Sequence, residues 1–227
     1  MEEWPSLGDF CFWGLTDYIH YNILILNIWS ISNMTRKYDS KRRTVSAEQT
    51  RLAIVEAAIK LHGIGITAFS AVADEAGVAL PTVTKHFPTR EDLFMACTTH
   101  HLGHLTLPTV EELRAVRHPA DRLRRLVQEV CQLHEQTFGQ LWTGYKLEDE
   151  SPVLMKAVQS YEALIANLVE TLTFDDTEKD RAAIAPFVRA MLNPLTYRAL
   201  RSRNQLSMEE VIQHMTSALA SVLQIAA

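Results

Sequence analysis

Glycine and proline are scarce, eight of each among 227 residues. A sandwich or barrel needs many turns built on those two residues, so a strand-dominated fold is disfavoured from the outset. Cysteine is scarcer still. Cys11, Cys97 and Cys131 are odd in number, widely spaced and contain no C-x-x-C pair, which argues against a disulfide framework or a zinc ribbon. No stretch approaches the ~20 apolar residues that span a bilayer; a clean apolar run near the N-terminus, Ile23 to Leu26, is far shorter. Catalytic signatures are also missing. There is no G-x-S-x-G, H-E-x-x-H, phosphate-binding loop or dinucleotide fingerprint, and no Glu has a His three residues later, as a di-iron bundle requires. An all-α enzyme is therefore the weakest of the functional alternatives, and no cofactor is expected.

What is present is ordinary for a globular chain: 47% hydrophobic and 22% charged residues, which excludes overall disorder. The net charge of -5 is unevenly spread. Residues 1–33 hold four acids (Glu2, Glu3, Asp9, Asp17) and neither Lys nor Arg. Residues 34–95 carry nine bases against seven acids, densest at Arg36, Lys37, Lys41, Arg42 and Arg43, and residues 96–227 carry thirteen against sixteen. The average conceals a local cationic segment. The N-terminal stretch, apolar and aromatic but without a basic n-region, is not a secretory signal. Two readings stand for it: an atypical extension preceding a true start at Met34, or an arm for a membrane surface or a partner. The first is preferred, because no basic face is available to meet anionic lipid. Three domains are expected: the extension 1–33, a cationic domain 34–95 and a larger helical domain 96–227.

From Ser46 onward the periodicity is helical, and the expected class is all-α. Ser46 and Gln49 have capping-box spacing ahead of Leu52, Val55 and Ile59. Gly63 and Gly65 end that helix. A short helix fits Ser70 to Ala76, stopped by Gly77. Pro81 suits the first turn of a third, reaching about His86. Thr89 and Asp92 cap a fourth. Beyond it, Pro108 and Pro119 bound an acidic connector, and Leu123 to Leu133 continue a helical face. Pro152 opens another helix, Thr173 to Asp180 reads as a loop, and Pro194 is expected to kink a helix over Phe187 to Arg201. Ser207 and Glu210 cap the last helix, where Met208, Val211, Met215, Ala218 and Val222 form a stripe wider than an exposed helix should carry.

The informative stretch runs from Thr67 to Phe94. Two short helices joined at Gly77 have small apolar residues (Val72, Ala73, Ala76) on the first, while the second is expected to point Thr82, Thr84, Lys85 and His86 outward. This is the pattern of a helix-turn-helix, whose second helix enters the DNA major groove. Lys85 suits a phosphate or a guanine edge, and Thr82 and Thr84 suit phosphates or bases.

These residues closely resemble the DNA-binding domain of TetR-family transcriptional regulators. The resemblance is carried by Ala73, Ala76-Gly77-Val78, Pro81-Thr82-Val83, His86-Phe87-Pro88 and Arg90 to Phe94, and is strong over about 46–95. Further on, Leu192 to Arg198 looks like a motif of the family's penultimate helix. Three positions depart from the pattern: Thr84 replaces a common aromatic, Ala68 a common Thr, and Arg90 a common Lys. The resemblance implies a homodimer on a double-stranded palindromic DNA operator, released by a small-molecule effector, most often as a repressor in the cytoplasm and without a membrane partner. It implies DNA contacts at Thr67, Ser70, Thr82, Thr84, Lys85, His86 and Arg90. An effector pocket is expected around Phe138, Trp142, Tyr145, Met155 and Tyr161. A dimer interface is expected at Tyr197, Met208, Val211, Met215, Ala218 and Val222. The alternative is a DNA-binding protein that recruits a protein partner without an effector. His100, His101 and His104, near Cys97, invite a metal reading, but no fourth ligand or supporting carboxylate is evident, so no metal is expected.

Overall fold

A computed structural model describes residues 39–172 and 178–225, with side chains described for 45–172 and 184–225. The expectations for residues 1–33, and for the side chains of the basic run from Arg36 to Arg43, lie outside these residues. The chain divides into two units, 1–53 and 54–227. Every described element is helical.

The first helix, α1, spans Asp39–His62. It begins before the expected cap, because nothing from Asp39 to Ser46 breaks a helix: there is no Gly or Pro, and Ser46 lies inside, its carbonyl accepting from Thr50 Oγ1 at 2.8 Å. The remaining short helices are α2 (Phe69–Glu75), α3 (Leu80–His86) and α4 (Arg90–Leu102). Within 54–97 they enclose an apolar cluster of Ile54, Val55, Ala58, Leu61, Val72, Ala73, Val83, Phe87, Leu93 and Cys97. The Thr89–Asp92 capping box forms as the spacing predicts, with Asp92 N–H donating to Thr89 Oγ1 at 3.1 Å and Thr89 N–H to Asp92 Oδ2 at 2.9 Å.

A second apolar cluster lies under the longer helices α6 (Pro119–Gln136), α8 (Pro152–Val169), α9 (Glu178–Met191) and α11 (Met208–Val222). Leu123, Leu126, Val127, Val130 and Leu133 recur at three- and four-residue steps along α6, and all are buried. Helix α11 packs along α6. Two helices appear where periodicity gave no separate signal. The acidic connector contains α5 (Val110–Ala115), capped by Thr109, and α7 (Phe138–Leu147) follows α6 after Thr137. Pro194 does not kink a continuous helix. It lies in the first turn of a new one, α10 (Pro194–Arg198), capped by Asn193, whose Oδ1 accepts from Leu195 N–H at 2.8 Å. Proline has no N–H to lose in a first turn, and Asn caps well, so Asn-Pro starts a helix more readily than it bends one. A π-helical turn, Ala199–Arg203, completes the segment. Among the described residues no helix is long and apolar enough to cross a membrane.

Candidate nucleic-acid interface and the adjoining aromatic cluster

The turn between α2 and α3 is set by Gly77, at φ 65°. Gly77 N–H donates to Asp74 O at 3.2 Å and Val78 N–H reaches back to Ala73 O at 3.0 Å, the paired bonds of a Schellman motif. The left-handed residue sharply redirects the chain, and Pro81 then pre-sets the first turn of α3. Val83 and Phe87 anchor α3 in the core, at 0% and 1% exposure. Lys60 Nζ pairs with Glu75 Oε1 at 2.5 Å and ties α1 to α2.

The expected DNA contacts separate into three groups. Thr84 and Lys85 are exposed on α3, and Ser70 is exposed near the start of α2. Thr67, Thr82 and His86 are half-buried beside them. Arg90 is drawn elsewhere: its guanidinium lies 5.4 Å from the Phe94 ring centroid and 3.7 Å from Glu150, in the turn between α7 and α8. A phosphate contact from Arg90 would compete with both.

The helix-turn-helix meets the longer helices through polar contacts that the sequence did not reveal. Glu91 Oε2 accepts from Ser151 Oγ at 2.6 Å and from Val153 N–H at 3.3 Å. Thr143 Oγ1 donates to His62 O at 2.5 Å. Gly139 sits so close to Gly63 that a Cβ there would lie 2.2 Å from the Gly63 carbonyl oxygen. His62 Nε2 is buried without a hydrogen-bond partner, and burial holds the ring's pKa down to about 4.

Of the expected pocket residues, Phe138, Trp142 and Tyr145 come together. With His134, Leu141, Pro194, Leu195, Tyr197 and Arg198 they line a cavity of only about 10 Å³. That is room for one water at most. The Arg198 guanidinium lies 4.0 Å from the Trp142 ring centroid. Tyr161 lies behind this wall, buried against His134, and Met155 is exposed and does not line it. Tyr145 OH donates to Glu162 Oε1 at 2.7 Å, and both oxygens accept from Asn193 Nδ2 at 3.3 Å. Burial, then the Glu162 carboxylate, pushes the Tyr145 phenol up. A larger half-open groove of about 370 Å³ runs beside it, floored by Ala163, Ala166, Ala190 and Pro194 and edged by Glu162, Arg189 and Asn193. The small residues that shape this groove gave no distinguishing signal in the sequence.

His134 has a fixed tautomer. Its Nε2 faces the Leu192 carbonyl at 2.8 Å, which can only accept, so Nε2 carries the proton and Nδ1 accepts from Tyr161 OH at 2.7 Å. Burial lowers its pKa to about 4. Next to it, Tyr197 OH donates to Glu135 Oε2 at 2.5 Å, and Arg201 binds the same carboxylate through Nη2 at 2.7 Å and Nε at 3.2 Å. These hydrogen bonds, above all that from Arg201, hold the Glu135 pKa below the usual carboxylate range.

The expected interface residues divide in the same way. Tyr197, Val211 and Met215 are buried within their own chain, and Met208 is half-buried, packed against the same core. The wide stripe of α11 is largely spent on α6. Ala218 and Val222 are exposed, as are Phe187 on α9 and Leu195 on α10. The His100 and His104 rings stand edge to face at 4.7 Å, and among the described residues no group of three His, Cys, Asp or Glu is placed to hold a metal.

Comparison with known proteins gives the same architecture. The family model for bacterial regulatory proteins of the tetR family matches residues 54–97. A TetR-like transcriptional regulator from Rhodococcus sp. RHA1 is 16% identical and superposes with a TM-score of 0.53, over 76% of this chain and 95% of that one. A member of the TetR family from Streptomyces coelicolor is 20% identical at a TM-score of 0.50, over 74% and 96%. No curated protein matches the sequence. The chain thus carries the tetR-family domain at residues 54–97, within the fold of the TetR-family transcriptional regulators.

Proposed function

We propose that this protein is a DNA-binding transcriptional regulator that works as a homodimer on a palindromic operator and releases it when a small-molecule effector binds. The observation that carries the reading is the helix-turn-helix itself: a Schellman turn at Gly77, an α3 anchored by Val83 and Phe87, and an outer face bearing Lys85. Two such helices in a dimer would stand ~34–36 Å apart, one turn of DNA. Phe187, Leu195, Ala218 and Val222 are among the exposed apolar groups available to a partner subunit. Repression in the cytoplasm is the mode this reading carries.

A second reading has its own observation. The aromatic cavity holds about 10 Å³, far below the ~300 Å³ of a usual ligand site, which supports a regulator that recruits a protein unless the adjoining groove of about 370 Å³ takes the effector. The test has two stages. Full-length protein is first offered a pool of random duplexes at low salt. Enrichment of a palindromic sequence supports the DNA reading, and no retained duplex refutes it. The enriched duplex is then titrated in the presence of candidate effectors. Effector and DNA must oppose each other by the same factor in both directions, so a ligand that binds without changing DNA affinity counts against the inducible mechanism.

A further inference from the structure

Helix α3 has an unusual outer face for an element that reads DNA. Leu80, Pro81, Thr84 and Lys85 are the exposed side chains, at the i, i+1, i+4, i+5 positions of one helical face. Leu80 is 43% exposed and Pro81 has no polar side-chain atom. Thr84 has a hydroxyl, but it is turned back onto its own helix. Oγ1 donates to Pro81 O at 3.1 Å, with Leu80 O at 3.4 Å, which spends the hydroxyl's proton and leaves the Cγ2 methyl and an acceptor oxygen. Lys85 is the one side chain on this face with an outward-directed donor. No carboxylate or amide is present on it to read a base edge in both directions.

Among the base edges of the major groove, only thymine offers an apolar group, its 5-methyl; the other edges are hydrogen-bond donors and acceptors. A face of leucine, proline and a threonine methyl desolvates a donor or an acceptor without replacing the lost bond, but gains area against a methyl. We propose that α3 selects its operator chiefly through thymine methyl groups packed against Leu80 and the Thr84 methyl, with Lys85 supplying the single charged contact to a guanine edge or a phosphate. The proposal rests on the DNA-binding reading above and assigns the base chemistry that reading leaves open.

Replacing thymidine by deoxyuridine removes the methyl and keeps the pairing. A random-duplex pool is enriched on full-length protein and resynthesised with deoxyuridine throughout. A buried methyl contributes roughly a 4-fold change in affinity, so one contact per half-site in a dimer predicts a ~16-fold weaker uracil duplex. Thr84→Ser keeps the hydroxyl and removes the methyl; Leu80→Ala removes the larger apolar group. Each variant should narrow the thymine-to-uracil ratio by several fold while binding the uracil duplex about as well as the unaltered protein. Both positions are exposed, so neither change threatens folding. Equal binding of the thymine and uracil duplexes by the unaltered protein overturns the proposal. So does an unchanged ratio in both variants, because the methyl effect would then belong to DNA shape. Failure to enrich any duplex at low salt is a different result, which removes the DNA-binding reading itself.

Discussion

A single methyl group placed on Gly139 probes how the helix-turn-helix is joined to the rest of the chain. A Cβ at Gly139 would meet the Gly63 carbonyl oxygen at 2.2 Å, the Gly63 Cα at 2.7 Å and its carbonyl carbon at 2.8 Å. All three are backbone atoms, so no side chain can rotate away. Reaching an ordinary contact requires α7 and the end of α1 to separate by about 1 Å. That movement would also strain the 2.5 Å bond from Thr143 Oγ1 to His62 O, four residues along the same helix. Overpacking of this kind costs ~1–3 kcal/mol, and a weakened buried hydrogen bond adds ~1 kcal/mol. Against this, alanine in a helix gains ~0.5–1 kcal/mol over glycine. The net expectation is a loss of ~1–3 kcal/mol, or roughly 2–12 °C in Tm for a chain of this size. Gly144→Ala is the matched control. Its Cβ would meet only Val158 Cγ2 at 3.3 Å, the end of a side chain that can yield a few tenths of an ångström. It should stay within ~1 kcal/mol of the parent. Thermal unfolding followed by circular dichroism reads both. Gly139→Ala melting at or above the parent, or Gly144→Ala melting below Gly139→Ala, would refute the reasoning.

Three further outcomes are expected. Gly77→Ala should destabilise by ~1–2 kcal/mol through its left-handed backbone alone, since nothing lies within 4 Å of the added Cβ, and Gly77→Asn should recover much of that; equal denaturation midpoints for parent and alanine variant would contradict this. Lys85→Ala should weaken DNA binding, and a phosphate-only role shows as a uniform loss with the salt slope reduced by ~1; unchanged binding would mean that Lys85 does not touch DNA. Acid should destabilise the fold through His62 and His134, both held near pKa 4 by burial against about 6.5 when unfolded. Between those values the unfolded chain binds more protons, so stability is complete above pH 6.5 and falls towards pH 4, by up to ~1.4 kcal/mol per pH unit for each ring. Urea midpoints at pH 7 and pH 5 test this, with His134→Gln flattening the slope; a midpoint that holds or rises on acidification counts against it.

The parts legible in the sequence are those fixed by local chemistry. Thr89 with Asp92 and Ser207 with Glu210 announce capping boxes, and both form. Gly77 followed by Pro81 announces a turn and a helix start, because left-handed φ and a missing N–H are properties of single residues. A sequence pattern is ambiguous where two structures satisfy the same residues. Ser46 and Gln49 have capping spacing but lie inside α1, since a cap signal does not stop a helix that has good formers upstream. Val211 and Met215 belong to a stripe that fits a partner subunit and an internal core equally well; the packing of α11 on α6 places them in the core. The junction was illegible for a different reason. Gly63 with Gly139, and His62 with Thr143, are far apart in the chain, and a close backbone approach leaves no trace beyond a glycine that could equally be a turn.

Helix α7 connects the two parts of the proposed mechanism. Phe138, Trp142 and Tyr145 lie four and three residues apart and face the aromatic cavity, whereas Gly139 and Thr143, also four apart, meet the end of α1. Ten residues make α7 ~15 Å long, just under three turns. Residues of α6, α7 and α10 all line the 10 Å³ cavity, and two of the ways a ligand can enlarge it involve α7. The ligand can rotate Trp142 off Arg198 and leave the helix in place, giving up a cation–π contact of ~0.5–2 kcal/mol. Or it can turn α7, which drives Gly139 against the Gly63 backbone and pulls Thr143 from His62. Of these two, the second makes the ligand's binding energy differ between two positions of the helix-turn-helix, and a ligand without that difference shifts no equilibrium. Effector control through α7, if the proposed mechanism holds, would require that helix to move as a unit, and the glycine contact that makes Gly139→Ala costly is the contact through which its movement would reach the helix-turn-helix.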